Sequence, residues 1–273
     1  MSRGAVLAVV VLLVAAGGVF WWQAHRASPV VPATAPPPVA PPQAPPPPPA
    51  PAIQNPVPAA AAPGGLPSLD QSDAHVKKAL VDLIGRKAVS TFFRLDGAIH
   101  RFVATVNNLA TDGATADLWP VHPTPGRFET ETRDGATVPS AHNAERYAAF
   151  VRFAADIDTG RAVAMYFRLY PLLQRAYEDL GYPGAYLNDR VVAVIDDLLA
   201  TPNVSGPIRV KRVGPDGGTG GGAGLYLYED SALEAATAGQ KILLRMGAEN
   251  RSKMMAKLME IRVRIATGPP GHR

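Results

Sequence analysis

Two residues in this chain have the types and spacing of a base and the group that orients it. Asp96 and His100 lie four residues apart, which places them on one face of a predicted helix. A carboxylate beside an imidazole can hold that imidazole as a general base. No nucleophile can be placed beside them from the sequence, so a pair of surface side chains is the simpler interpretation.

A second pair of acidic residues, Asp196 and Asp197, is adjacent in the sequence. Consecutive residues on a helix point about 100° apart, so the two carboxylates cannot converge on one substrate atom. Ile195 and Leu198 have the apolar character of inward-facing positions, and we therefore predict that both aspartates lie on the exposed side of the helix.

Cofactor and metal signals are weak. The run Gly218-Thr219-Gly220-Gly221-Gly222-Ala223 has the letters of a dinucleotide fingerprint. It leads into a predicted strand instead of a helix, and it lacks the Lys-Ser/Thr of a phosphate loop. The histidines are scattered singly and the chain has no cysteine. We predict no cofactor, no metal site and no catalytic residue.

The densest set of recognition-type side chains lies between Tyr166 and Arg190. Tyrosine offers apolar area with a polar tip, and arginine offers paired donors for a carboxylate or phosphate. The alternative is that the tyrosines complete a helical core and that Asn188 or Asp189 caps the next helix. The candidate binding residues are Tyr170, Gln174, Tyr177, Tyr186, Asn188 and Arg190, with Arg245 and Asn250 as additions.

The elements that position these residues begin with an uncharged apolar run at residues 4–22. Its length suits a transmembrane helix, and Trp21 and Trp22 at its end suit the membrane interface. We interpret residues 1–27 as an uncleaved signal anchor that leaves a short N-terminus in the cytoplasm. The alternative is a cleaved signal peptide, although Arg3 alone is a weak positive start and the run is long for one.

Residues 28–67 have the composition of a disordered linker. They contain 17 prolines and no charged residue. Proline fixes φ and removes an amide donor, so neither helix nor sheet can propagate. We predict a semi-rigid polyproline II spacer, with a docking strip for aromatic grooves as the alternative.

Residues 68–267 are long enough for one domain with its own core, followed by a disordered tail at residues 268–273. The chain from Ser68 onward holds all 23 acidic and 25 of the 27 basic residues, a net charge of about +2. This mild excess does not indicate a nucleic-acid-binding surface.

Apolar residues at helical spacing predict a mainly α domain. Stripes begin at Val76, Ile99, Tyr147 and Leu187, and a longer helix from Thr159 to Leu180 contains Pro171. Ser72, Thr159 and Ser231 are predicted helix caps. On the last helix, an apolar stripe is flanked by basic residues that we predict to be solvated: Lys253, Lys257, Arg262 and Arg264.

One small β-hairpin interrupts the predicted helices. Residues 208–213 and 225–228 have strand character and flank the glycine-rich run. Residues 130–137 look like a variable loop.

Several blocks resemble domain-of-unknown-function family 3014, in the same order along nearly the whole domain from Ser68 to Ala266. They are residues 101–109, 169–174, 176–183, 188–190, 196–202 and 238–247. The resemblance implies a bacterial protein of the inner membrane, with an anchor, a proline-rich spacer and an envelope domain. The family has no assigned activity, so it implies no functional residues.

Three classes of function stay open. The first is a non-catalytic binding or scaffolding module for an envelope protein or cell-wall component, which we favour. The second is an envelope-acting enzyme with an unrecognised active site, which the absence of clustered acid, base and nucleophile weakens. The third is a structural partner that assembles through the anchor helix, which the absence of a GxxxG face weakens.

Overall fold

A computed structural model describes residues 52–58, 65–113, 116–213 and 225–267. The predicted anchor, most of the spacer, the glycine-rich run and the predicted tail lie outside these residues. Within the described part, no helix combines the length and apolarity that crossing a membrane requires.

Helices dominate the described residues, and two short antiparallel hairpins accompany them. The helices are α1 (Ser72–Ile84), α2 (Arg86–Phe92), α3 (Ala98–Leu109), α4 (His142–Ala155), α5 (Thr159–Asp179), α6 (Leu187–Leu199), α7 (Ser231–Glu234), α8 (Ala238–Arg245) and α9 (Ala248–Ile265). The strands are β1 (Thr130–Arg133), β2 (Ala136–Pro139), β3 (Val210–Val213) and β4 (Leu225–Tyr228).

The predicted apolar stripes form one large core. In α3, the residues Ile99, Phe102, Val106 and Leu109 are all buried. The long helices α5, α6 and α9 bury their stripes in the same cluster, with α9 packed on α4, α5 and α6. Burial of one apolar face on each helix is what holds a helical layer together. The mainly helical prediction is confirmed.

The predicted hairpin is confirmed, and a second one is present. Val210 pairs with Tyr228 and Val213 with Leu225 in β3–β4. The segment interpreted as a variable loop is the hairpin β1–β2, whose turn contains Asp134 at φ 51° and Gly135 at φ 76°. The Asp-Gly pair is a hairpin signal that the sequence analysis missed.

Three predicted helix caps are each off by one position. Asp158 and Asp230 accept backbone N–H bonds as the N-caps of α5 and α7, so Thr159 and Ser231 are the first helical residues. Gln71, not Ser72, precedes α1 and makes no side-chain cap. Aspartate is a strong N-cap, and the residue after it was mistaken for the cap.

Two of the four basic residues on α9 are not solvated. Lys253 and Arg264 are exposed as predicted, whereas Lys257 and Arg262 are buried. The ammonium of Lys257 donates to Glu260, to the carbonyl of Ile157 and to the hydroxyl of Thr159. These partners, two of them about 100 residues away, supply the compensation that a buried cation needs.

A short piece of the spacer lies against the domain. Gln54 and Asn55 form hydrogen bonds with Asp189, at the start of α6, and with Thr267, just after α9. The sequence analysis predicted a semi-rigid spacer over residues 28–67 and no contact between it and the domain.

Candidate functional site

The predicted binding stretch covers the second half of α5, the turn that follows it and the first turn of α6. Helix α5 continues through Pro171 to Asp179, and Leu180 is its C-cap. Gly181 and Gly184 then take φ values of 108° and 76°, which other residues rarely adopt, so the chain can reverse within a few residues. This tight turn places Tyr170 and Gln174 beside the start of α6.

Gln174 joins the turn to α5. Its Oε1 accepts from the hydroxyl of Tyr170 at 3.0 Å and from the N–H of Leu187 at 2.8 Å. Its Nε2 donates to the carbonyl of Ala185 at 2.8 Å and to Glu178 at 3.0 Å. The amide therefore has its hydrogen-bonding capacity met within the protein. In this geometry, Gln174 fixes the start of α6.

Asn188 has no exposed surface and lies at the centre of a second network. Its Oδ1 accepts from the hydroxyl of Tyr166 at 3.0 Å. Its Nδ2 donates to the carbonyls of Ile265 and Asn55, at 2.9 and 2.8 Å. Asn188 is thus not the cap of α6, as one interpretation had it: the helix begins at Leu187 and Asn188 is inside it.

The two tyrosines of these networks are neutral hydrogen-bonding groups. Burial raises the pKa of Tyr166 well above its ordinary value, and proximity to Tyr170 and Asp189 adds to the rise. Burial also raises the pKa of Tyr170, although its hydrogen bond from the N–H of Asn188 opposes the rise. Neither phenol is prepared to act as a base near neutral pH.

A more accessible group of side chains lies on the neighbouring surface. Tyr177 and Tyr182 stack with ring centroids 4.7 Å apart and planes at 10°. Arg190 donates from Nη2 to the carbonyl of Asn107 at 2.7 Å, and Asn107 donates from Nδ2 to the hydroxyl of Tyr182 at 3.1 Å. We call these four residues the Arg190 surface. Tyr182 is 38% exposed, while Tyr177 is buried beneath it.

The charge of Arg190 also acts on one acidic residue, Asp197. Burial raises the pKa of Asp197, against the opposing effects of a hydrogen bond from Thr237 and the charge of Arg190. Asp197 accepts from the Thr237 hydroxyl at 2.8 Å and from the side-chain amide of Gln240. Since both groups belong to the capping box of α8, Asp197 connects α6 to α8.

The prediction that both adjacent aspartates are solvent-exposed is wrong. The side chain of Asp196 is 22% exposed and binds the buried guanidinium of Arg262 through both carboxylate oxygens. Asp197 is half-buried against α8. As expected from their divergence on the helix, the two carboxylates take different partners.

The remaining predicted site residues are separated from one another. Tyr186 is half-buried and precedes α6 as its N-cap. The guanidinium of Arg245 lies 5.8 Å from the ring centroid of Tyr228 on β4. Asn250 donates to the carbonyls of Ala144 and Met246. Arg245 and Asn250 thus contact α4, β4 and the residue that follows α8, and not the Tyr166–Arg190 stretch.

The prediction that Asp96 and His100 share one helix face is wrong, because α3 begins at Ala98 and Asp96 precedes it. Asp96 binds the guanidinium of Arg101, and that hydrogen bond is the main reason why its pKa falls below the ordinary value. His100 is exposed. Within the described ranges, no group of three or more acidic or histidine side chains could hold a metal ion.

A shallow groove of about 470 Å³ lies between α1 and α5. Its lining includes Asp82, Arg161, Phe167 and Arg168. Arg161 and Arg168 are seven residues apart and occupy the side of α5 opposite Tyr166 and Tyr170. No local sequence pattern indicates this groove, because its two walls are about 80 residues apart in the chain.

Comparison with known proteins assigns the chain to one protein family. Residues 98–262, more than half of the chain, match the sequence model of the family described as "Protein of unknown function (DUF3014)". No curated protein and no solved structure matches the chain. The match confirms the resemblance, over a shorter range than residues 68–266. The chain belongs to the DUF3014 family.

Proposed function

We propose that this member of the DUF3014 family is a membrane-tethered binding module of the bacterial envelope, which holds a partner without catalysing a reaction on it. Its partner is an envelope protein or a component of the cell wall. The domain lies on the periplasmic side of the inner membrane, at the end of the proline-rich spacer. The anchor and spacer composition support the tether.

The observation that carries the binding role is the Arg190 surface. It combines a stacked tyrosine pair, of which Tyr182 is exposed, and a guanidinium held in place by Asn107. Tyrosine and arginine contribute strongly at binding surfaces, because tyrosine brings a large rigid contact area and arginine brings several donors in a planar group. The hydrogen bonds from Asn107 and Arg190 restrict these side chains before any partner arrives.

The chemistry of the surface favours a ligand with an acidic group next to a flat or apolar one. A guanidinium has five N–H donors; in Arg190 the Asn107 carbonyl accepts from Nη2 and the Nε donor is buried, so the donors available to a ligand are those left on the two Nη atoms. The donors that remain suit carboxylate oxygens, while the tyrosine stack suits an apolar or planar neighbour. Acidic protein segments and the carboxylates of cell-wall peptides both have this chemistry.

Photocrosslinking in living cells tests the binding role. A photoreactive phenylalanine analogue replaces Tyr182 and, as a control, Met259 on α9, which is also 38% exposed. We expect discrete crosslinked products from position 182 that position 259 does not give, and their loss in Arg190→Ala. Equal products from both positions, or products that persist without Arg190, would contradict the proposal.

Protease protection tests the tether separately. Protease added outside spheroplasts should remove the domain and leave a short membrane fragment. A domain released into the periplasm without its apolar segment would contradict the anchored topology.

A further inference from the structure

We infer that Asn188, Asp189 and Thr267 form a peptide-binding site whose ligand is the spacer of the same chain, at Gln54 and Asn55. The site fastens the spacer to the domain well before the two meet along the chain. Residues 52–58 belong to the proline-rich segment, yet their partners lie more than 130 residues away.

The carboxylate of Asp189 binds the backbone of the spacer. Its Oδ2 accepts from the N–H of Gln54 at 3.0 Å, and its Oδ1 accepts from the N–H of Asn55 at 2.6 Å. The side-chain amide of Asn55 donates to the same Oδ1 at 3.0 Å. Hydrogen bonds to an ionised acceptor are stronger than bonds between neutral groups. Two consecutive amides on one carboxylate fix both the position and the direction of the segment.

Two further residues hold the opposite side of the segment. The buried amide of Asn188 donates to the carbonyl of Asn55 at 2.8 Å. Thr267 donates from its hydroxyl to the carbonyl of Gln54 at 2.6 Å and from its N–H to Oδ1 of Asn55 at 3.0 Å. The spacer therefore joins the start of α6 to the end of α9.

The sequence of the spacer fits this role. Its hydrogen-bonding side chains are Ser28, Thr34, Gln43, Gln54 and Asn55, so Gln54-Asn55 is the single adjacent pair. Pro56 follows at once and disfavours the helical region for Asn55. A residue with fewer conformations open to it loses less conformational entropy when it binds.

The bound segment shortens the tether. With residues 54 and 55 held on the domain, the free spacer ends near Pro51, not near Pro67. At about 3.1 Å per residue, the maximum reach falls from roughly 120 Å to roughly 75 Å. The tether also leaves the domain beside Asp189, the residue before Arg190, which sets how the Arg190 surface is presented relative to the membrane.

Distance measurement between spin labels tests this inference in the full chain in lipid nanodiscs. The chain has no cysteine, so Ala52→Cys and Ala193→Cys, both at exposed positions, take labels selectively. We expect one narrow distance distribution in the labelled wild type. Asn55→Asp places a second carboxylate against Asp189 and should broaden the distribution at least threefold.

The matched control is Gln54→Glu. It adds the same charge one residue away, but Gln54 uses only its backbone N–H and carbonyl in the recorded contacts, so the distribution should stay narrow. A broad wild-type distribution, or a narrow one in Asn55→Asp, would overturn the inference. So would loss of the narrow distance when labelled chains are diluted with unlabelled ones, because the segment would then bind a neighbouring copy.

Discussion

The hydroxyl of Tyr166 donates to Oδ1 of Asn188 at 3.0 Å, between two side chains that are both buried. The other half of the same amide holds the end of α9 and the spacer through the carbonyls of Ile265 and Asn55. One buried side chain thus connects α5, α6, α9 and the spacer. Tyr166 and Asn188 belong to the stretch that the sequence marked as a candidate binding site. In the structure, they hold helices and the spacer together.

Removing the Tyr166 hydroxyl should destabilise the domain. Tyr166→Phe leaves the buried Oδ1 of Asn188 without its donor, which should cost about 1–3 kcal/mol of unfolding free energy. Denaturant unfolding of the chain without its predicted anchor measures the change. Tyr226→Phe is the control, since its hydroxyl makes only a 3.5 Å contact on the hairpin surface. Equal effects of the two changes would show that the buried amide is not stabilised by Tyr166.

Breaking the pair between Asp196 and Arg262 should be costly. The two side chains are 22% and 5% exposed, so Asp196→Ala removes the carboxylate that the buried guanidinium binds, at about 3–5 kcal/mol. The double change Asp196→Leu and Arg262→Met should recover part of that loss. The exposed pair Lys78–Asp82 serves as a control, and Asp82→Ala should cost less than about 1 kcal/mol. A loss as small for Asp196→Ala would contradict the burial of the pair.

Glu260 should contribute to stability at neutral pH and lose that contribution in acid. Hydrogen bonds from Lys257 and then Thr159 lower its pKa below the ordinary 4.5. A lowered folded pKa means that the contribution is present above the unfolded pKa and disappears as pH falls through the folded one. The difference in unfolding free energy between wild type and Glu260→Gln should therefore be steady above about pH 5.5 and shrink below pH 4.5.

Glu249→Gln is the control for that pH series. Lys253 lowers the pKa of Glu249 as well, but this pair is exposed, so salt should abolish most of its effect. A Glu260 difference that does not change with pH would contradict the assignment.

A methyl group at Gly239 should destabilise the packing of α8 on α3 and α6. Its Cβ would come within 2.3 Å of Leu198 Cδ2 and 3.1 Å of the Leu109 carbonyl oxygen. Overpacking of this kind costs about 1–3 kcal/mol. In Gly160→Ala, the new Cβ meets Asp158 at an ordinary 3.4 Å, and this change should be neutral or slightly stabilising. Equal melting temperatures for both variants would contradict the close approach at Gly239.

The local sequence pattern was sufficient to predict the helices. It was insufficient to predict which charged residues are buried. Stripes such as Ile99 to Leu109 were predictable because the helical period shows in the sequence and apolar burial follows from it. The burial of Lys257 and Arg262 was not, since their partners Thr159 and Asp196 come from other helices. A basic residue beside an apolar stripe has the same local sequence pattern whether its side chain is buried or exposed.

The candidate site was also only partly predictable from the sequence. The concentration of tyrosines predicted a binding region that contains both the buried Asn188 and the half-buried Arg190. Sequence spacing could not separate the buried network of Gln174 and Asn188 from the accessible Arg190 surface, because exposure depends on the turn after α5. The adjacent amide side chains Gln54 and Asn55, alone of their kind in the spacer, were the available signal for the spacer contact.

Recovery of crosslinked envelope partners with the full chain, compared between wild type and Tyr182→Ala, tests the binding role most directly. Truncating an exposed aromatic residue at a binding surface removes affinity and leaves the fold intact. We predict that Tyr182→Ala lowers recovery at least tenfold while the melting temperature stays within about 2 °C, and that Met259→Ala, from an equally exposed position, changes neither. Undiminished recovery with Tyr182→Ala would contradict the account.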